Sequence, residues 1–302
     1  MLSRTASNVY WMARYFERAE STARLLGACF QPGLPFDGNI KRLYELPLDT
    51  QGALEDYQAK HGDVIDVEKV CNFLIKGDSA GSIRNCLLSA RENARSERSR
   101  LSTEVWESIN QTWLEFHDMQ NKSLITFTDW LKQRIFVFQG TINTTMPSSL
   151  TRYFIRLGTF TERADQTLRV LEAKGVLREL SNQSDYYHWH MLLRSTSSYE
   201  AYQESVIGDS PTKDSVFEFL VYHKSLPRSV RYCIEKVEYL LNAIGSQDNQ
   251  TPLKVASQIL VKLKYDNMDD IIDIGQDEYV KTLQKEVLLL GSKIHSGYFK
   301  TA

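Results

Sequence analysis

The chain has 302 residues, of which 42% are hydrophobic and 25% charged, a balance typical of a globular protein with a buried core. Its formal net charge of −2, without any run of Lys and Arg, excludes a long-range attraction for nucleic acid or an anionic membrane. No apolar run approaches the ~20 residues that span a bilayer, and the N-terminus lacks the pattern of a signal peptide, so we expect a cytoplasmic protein.

The first predicted element is an amphipathic helix near the start of the chain, "YWMARYFERAESTARLL". On a helical wheel its aromatic and small apolar residues share one broad face. Arg14, Glu17 and Arg24 lie on the opposite face, and Arg18 and Glu20 lie at the two margins. The helix therefore presents a charged stripe whose use has to be explained.

Further helices are predicted along the whole chain. Residues 82–119, 148–174 and 276–297 carry apolar side chains at helical spacing, and alternating β-like runs are scarce. These patterns predict an all-α fold. The four cysteines are scattered among apolar neighbours without a metal-ligand spacing, which indicates buried free thiols in a reducing compartment.

A second charged cluster lies within the 82–119 segment, in "SARENARSERSR". Arg91, Arg95 and Arg98 share a helix face, and Glu92 lies beside them. The corresponding part of the second half of the chain has lost these charges. The cluster is therefore a candidate binding or catalytic site, and a solvated basic face is the alternative.

Metal and cofactor chemistry finds little support in the sequence. Asp185, His188 and His190 in "SDYYHWH" are plausible ligands, but a carboxylate-bridged di-metal bundle needs two Glu-x-x-His motifs, which the chain lacks. Walker, Rossmann, HExxH and GxSxG motifs are also missing. We expect no metal and no cofactor, and aromatic packing for the two histidines.

The chain contains an internal repeat. "RYFERAESTARLL" matches "TFTERADQTLRVL" 145 residues later, with Glu17 on Glu162 and Arg18 on Arg163. "LEDYQAKHGD" matches "YEAYQESVIGD" at the same separation, and "SIRNCL" matches "SVRYCI" 147 residues later. We predict a tandem-duplicated helical bundle with halves 1–145 and 146–302, related by a pseudo-two-fold axis and forming one compact unit.

The repeated Glu-Arg pairs allow three interpretations. They can form a solvated face with ion pairs within each helix, worth a few tenths of a kcal/mol each. They can instead pair reciprocally across the pseudo-two-fold axis, Glu17 with Arg163 and Arg18 with Glu162, as a buried lock that fixes register. A third possibility is a cationic pocket for a carboxylate or phosphate, since guanidinium offers a bidentate fork.

These segments resemble the bacterial Alpha-E family, an uncharacterised α-helical group named for its ER motif. The resemblance covers "MLSRTASNVYWMARYFERAE", "RLGTFTERAD", "ARENARSERSRLSTEVWESIN", "LLRSTSSYEAY" and "LPRSVRYC", essentially the whole chain, and adds Arg228 to the candidate binding residues. The chain departs from the family pattern at Thr159, where an Arg is usual, so Arg14 has no counterpart in the second repeat.

The resemblance implies a function only indirectly. Family members are associated by genomic context with circularly permuted ATP-grasp ligases, transglutaminase-like proteins and an amidohydrolytic peptidase, a set typical of peptide synthesis or modification. We expect a non-catalytic helical accessory or scaffold protein that acts with an ATP-grasp type ligase. The competing hypothesis is an enzyme or small-molecule-binding protein that holds a carboxylate, phosphate or amide with its Arg/Glu residues; no catalytic residue can be assigned.

Overall fold

The computed structural model describes residues 1–30, 40–173, 184–206, 210–245, 251–266 and 268–299. Within these ranges the regular structure is α-helical, with one 3-10 turn at Arg98–Arg100 and no β-strand, as the sequence predicts. The helices of the first half are α1 (Ser3–Cys29), α2 (Ile40–Thr50), α3 (Leu54–His61), α4 (Val67–Lys76), α5 (Ile83–Ser96), α6 (Thr103–Met119) and α7 (Leu124–Thr145).

The helices of the second half follow in the same way. They are α8 (Leu150–Glu172), α9 (Ser184–Ser195), α10 (Tyr199–Ser205), α11 (Lys213–Tyr222), α12 (Val230–Ile244), α13 (Thr251–Tyr265), α14 (Met268–Ile274) and α15 (Gln276–Tyr298). The predicted boundary between residues 145 and 146 coincides with the end of α7. In the described ranges no helix has both the length and the apolar character that a membrane crossing requires.

The segment 82–119 is helical, as its periodicity predicts, but it is interrupted. Residues 82–119 form α5 and α6, which are separated by the 3-10 turn. The Ser102 side chain accepts a hydrogen bond from the backbone N–H of Val105 and so caps a new helix start. Arg98 therefore does not share a helix face with Arg91 and Arg95, contrary to the prediction. Its guanidinium lies 5.3 Å from the centre of the Trp106 ring.

The centre of the fold is the pair α1 and α8, which pack against each other. Helix α1 also contacts α5 and α7, whereas α8 contacts α12 and α15. Most residues of both central helices are buried, including charged ones, because each helix has neighbours on several sides. The charged stripe of α1 therefore faces protein, and the solvated-face interpretation is wrong.

Matching residues of the two halves make matching local contacts. Ser82 and Ser229 are fully buried N-caps of α5 and α12. Tyr57 stacks edge-on against Phe73 in the first half, and Tyr202 does the same against Phe219 in the second. These equivalent contacts are consistent with the internal repeat of the sequence, and the pseudo-two-fold axis stays a prediction.

Candidate functional site

A close crossing of α1 and α8 sets the geometry of the site. Ala13 and Gly158, which correspond in the repeat, meet at this crossing. A Cβ atom on Gly158 would lie 2.3 Å from the carbonyl oxygen of Tyr10, a distance that no real side chain tolerates. The missing side chain lets the two backbones approach and brings the two Glu-Arg pairs, one turn further along each helix, within reach of each other.

The two Glu-Arg pairs exchange partners across this crossing. Arg163 donates from Nε and Nη2 to the two carboxylate oxygens of Glu17, both at 2.8 Å. Arg18 donates from Nε and Nη2 to the two oxygens of Glu162, at 2.7 and 3.2 Å. Both contacts are bidentate, the strongest arrangement of this ion pair. Of the three interpretations of the repeated motif, the reciprocal lock is therefore the one that describes these four side chains.

Each half of the lock receives a further arginine from outside the Glu-Arg pairs. Arg14 Nε donates to Glu162 at 2.6 Å, and its Nη2 lies 3.8 Å from Asp165. On the other side, Arg228 precedes α12 and contacts Glu20 at 2.7 Å and Glu17 at 3.9 Å. Arg228 thus gives the first repeat the additional guanidinium that Arg14 gives the second.

Pairs within each helix complete the network. Glu20 pairs with Arg24 at 2.6 Å, and Asp165 pairs with Arg169 at 3.0 Å, both at i,i+4 spacing. Among the described residues the network contains six guanidinium groups and four carboxylates, which leaves two positive charges in excess. The guanidinium groups belong to Arg14, Arg18, Arg24, Arg163, Arg169 and Arg228.

Glutamine side chains fill acceptor positions that the arginines leave open. Gln139 on α7 donates to Glu17 at 2.6 Å, and Gln284 on α15 donates to Asp165 at 2.6 Å. Gln166 donates to Glu162 at 3.0 Å and accepts from Gln51. The sequence analysis missed these residues. The signal that could have found Gln139 and Gln284 is a polar side chain inside an otherwise apolar helix face.

The surroundings keep three groups of the network charged. Burial raises the pKa of Glu162, but the positive charges of Arg14 and Arg18 lower it by more, and the resulting pKa is about 2. The pKa of Glu20 also ends below its ordinary value, because Arg228 and Arg24 outweigh the effect of burial. Burial lowers the pKa of Arg163, whereas Glu17 raises it more strongly. All these groups are therefore charged at neutral pH.

The second predicted cluster is separate from this network. Arg95 and Arg91 contact Glu92 at 2.6 and 3.1 Å, and Arg91 Nε donates to Asn110 at 2.8 Å. The side chains of Glu92 and Arg95 are 40% and 67% exposed, so water screens these charges. The geometry is that of surface ion pairs on α5.

Two cavities lined by described residues adjoin the network. One of about 430 Å³ lies between α1, α7 and the region of α9 and α10, with Arg24, Lys132 and Arg194 in its lining. A smaller one of about 190 Å³ lies between α1, α8 and α15, with Arg14 in its lining. Neither is lined by the Arg91, Glu92 and Arg95 cluster.

The cysteines are the possible nucleophiles, and His188, His190 and Asp185 are the possible metal ligands. The buried Cys86 and Cys233 are free thiols, and burial raises the pKa of each to about 12, so they are protonated at neutral pH. His190 contacts Tyr199 with ring centres 4.7 Å apart and the rings tilted by 45°, and His188 lies edge-on to Trp189. The side chain of Asp185 lies outside the described part of the structure. Within the described part, no three His, Cys, Asp or Glu side chains are grouped so that they could hold a metal ion.

Comparison with known proteins gives one result. The Alpha-E family model, described as a predicted alpha-helical domain with a conserved ER motif, matches residues 1–299. No curated protein and no solved structure is significantly similar to the chain. The match spans both Glu-Arg pairs and every helix described above.

Proposed function

The chain belongs to the Alpha-E family, and from this premise we propose that it is a non-catalytic helical accessory protein of a peptide synthesis or modification system. Its direct partner would be a circularly permuted ATP-grasp type ligase, with transglutaminase-like proteins in the same system. The partners come from the family's genomic associations. We place the complex in the bacterial cytoplasm, where buried free thiols such as Cys86 and Cys233 remain reduced.

The observation that carries the proposal is the use of the ER motif. Glu17, Arg18, Glu162 and Arg163 bind one another in bidentate pairs. A general base or a nucleophile-activating group has to reach a substrate, whereas these carboxylates are at most 2% exposed. The motif that defines the family thus holds two helices together, which is the task of a scaffold.

Exposed apolar side chains give this scaffold surfaces for a partner. Phe136 and Val137 on α7 are 55% and 46% exposed, and Leu288 and Leu289 on α15 are each 48% exposed. Adjacent apolar side chains that remain in water are a common feature of docking surfaces. We assign the ligase to one of these two helices.

Co-elution tests the proposal. The chain and the ATP-grasp protein of the same genome, mixed at micromolar concentration, should elute together in size-exclusion chromatography, and the chain should change the rate of ligation. Serine at one of the two apolar pairs, Phe136 with Val137 or Leu288 with Leu289, should abolish co-elution, and serine at the other pair should leave it unchanged. Val261→Ser on α13, at a side chain 56% exposed, is the matched control. Independent elution together with an unchanged ligation rate would overturn the proposal.

A further inference from the structure

The smaller cavity has a charged inner wall and an open mouth. Arg14 and Asp165 line its interior, where their side chains are 11% and 2% exposed. Ser292 and His295 on α15 also line it and are exposed residues, so the cavity reaches solvent between α1 and α15. A small molecule can therefore enter without any rearrangement of the helices.

The terminal nitrogens of Arg14 are poorly used by the protein. Nε makes the short bond to Glu162, but Nη1 donates to the Tyr10 hydroxyl over 3.4 Å, and Nη2 lies 3.8 Å from Asp165, beyond hydrogen-bonding distance. Gly291 lies above Nη1, where a Cβ atom would be 3.7 Å away. Because α15 carries no side chain at this point, the guanidinium edge faces the cavity.

The charges around Arg14 leave one positive charge unbalanced. On this side of the network Arg14, Arg18 and Arg169 face two carboxylates, Glu162 and Asp165. Water reaches Arg169 and Arg18, whose side chains are 32% and 22% exposed, whereas the Arg14 side chain is 11% exposed, and an unbalanced charge there is costly without a counter-ion. One monoanion in the cavity would restore neutrality.

The remaining walls restrict the chemistry of that anion. Trp11 lies beneath the guanidinium, with Arg14 Cζ 4.9 Å from its ring centre, and Val287 and Leu288 add apolar surface. At roughly 30 Å³ of liquid volume per water, a cavity of about 190 Å³ has room for about six heavy atoms, and a longer molecule would extend through the open mouth. A planar carboxylate matches the guanidinium fork, and the apolar walls favour a short aliphatic body.

We propose that this cavity binds the carboxylate of a small organic acid or of a peptide C-terminus, held by Nη1 and Nη2 of Arg14. This inference rests on the proposed function for its biological meaning, because the carboxylate would be the substrate that the accessory protein positions for the ligase. Binding itself needs no ligase. Its failure can therefore be told apart from a failure of co-elution.

Isothermal titration of the full chain, in buffer free of carboxylate and phosphate, tests the site. Butyrate represents a free acid, N-acetylalanine a peptide C-terminus, butyramide the neutral isostere and inorganic phosphate another anion. We expect saturable binding of at least one carboxylate. Butyramide and phosphate should bind at least about tenfold more weakly than that carboxylate, because the amide lacks the charge and phosphate lacks the planar shape that match the guanidinium. Whichever of butyrate and N-acetylalanine binds more tightly identifies the source of the carboxylate.

Two glycine variants separate the site from general effects on the fold. Gly291→Leu places a good helix former over Arg14 Nη1 and fills the cavity, without removing any member of the charged network. Gly140→Leu on α7, where a Cβ meets nothing within 4 Å, is the matched control. We expect Gly291→Leu to weaken carboxylate binding at least about tenfold and Gly140→Leu to leave it unchanged. Equal affinity for butyramide, equal effects of the two variants, or no saturable binding would overturn the proposal.

Discussion

Single residues of the network do more than pair by charge. Glu162 accepts hydrogen bonds from Arg14, Arg18 and Gln166 while its side chain is fully buried. Buried ion pairs recover their desolvation cost only when the geometry is good and the remaining acceptors are satisfied, and they specify register more reliably than they add stability. Loss of this one carboxylate would remove the ion pair of Arg18 and leave Arg14 with the longer contact to Asp165 at 3.8 Å.

Glu162→Gln should therefore destabilise the fold strongly. We expect a loss of about 3–5 kcal/mol in the free energy of unfolding, because removing one member of a buried pair strands the charge of the other. Urea denaturation followed by circular dichroism measures it. Glu92→Gln removes a carboxylate from an exposed pair on α5 and should change stability by no more than about 0.5 kcal/mol. Equal costs for the two variants would contradict a structural role of the network.

The same residue predicts a pH dependence. The pKa of Glu162 falls from an ordinary 4.5 to about 2 in the folded protein, because Arg14 and Arg18 outweigh burial. The unfolded chain then binds the proton first as the pH falls, so the stabilisation is complete above about pH 4.5 and is lost toward pH 2. We expect the unfolding free energy of Glu162→Gln to fall less steeply than that of the wild type between these pH values. Parallel pH profiles would contradict the assignment.

At the scale of elements, the contact between α1 and α8 depends on one missing side chain. Gly158→Ala raises intrinsic helix propensity by about 1 kcal/mol, yet its Cβ would lie 2.3 Å from the Tyr10 backbone oxygen. Backbone cannot yield as a flexible side chain can, so the helices must move apart and lengthen the ion pairs. We expect a net destabilisation of about 1–3 kcal/mol, the range typical of overpacking.

Gly140→Ala is the control for this substitution. Gly140 lies in α7 with nothing near the position of a Cβ atom, so the change should stabilise the protein by roughly 0.5–1 kcal/mol. Opposite signs for the two glycine variants, measured by thermal unfolding, would show that the effect belongs to the helix crossing. If both variants stabilised the protein, the crossing of α1 and α8 would accommodate a Cβ atom at Gly158 without strain.

The same elements show how far the sequence could predict the structure. The Glu-Arg pairs were predictable because a repeated motif on two related helices has only a few possible partners, one of which is its own copy. The contact of Arg228 with Glu20 was not, since it depends on the path of the turn before α12, and the matching position in the first half is Gly81. The break between α5 and α6 depends on the Ser102 cap, which helical periodicity does not register.

For the whole molecule, the network makes the two predicted halves depend on each other. Helix α1 of the first half packs against α8 and α9 of the second, and α15 returns to contact α1. Glu17 and Glu162 each pair with arginines of the other half, so neither half satisfies all of its own buried charges. We therefore expect a single cooperative unfolding transition for the 302 residues.

Two spectroscopic signals can test this cooperativity because the tryptophans are unevenly distributed. Trp11, Trp106, Trp113 and Trp130 lie in the first half and Trp189 in the second, so fluorescence reports mainly on the first half, whereas far-ultraviolet circular dichroism reports on all helices. We expect coincident urea transitions, the criterion of two-state unfolding, since breaking the buried lock exposes charges of both halves at once. A fluorescence transition displaced from the dichroism transition would show that the halves unfold separately, and the lock would then join two domains that are each stable alone.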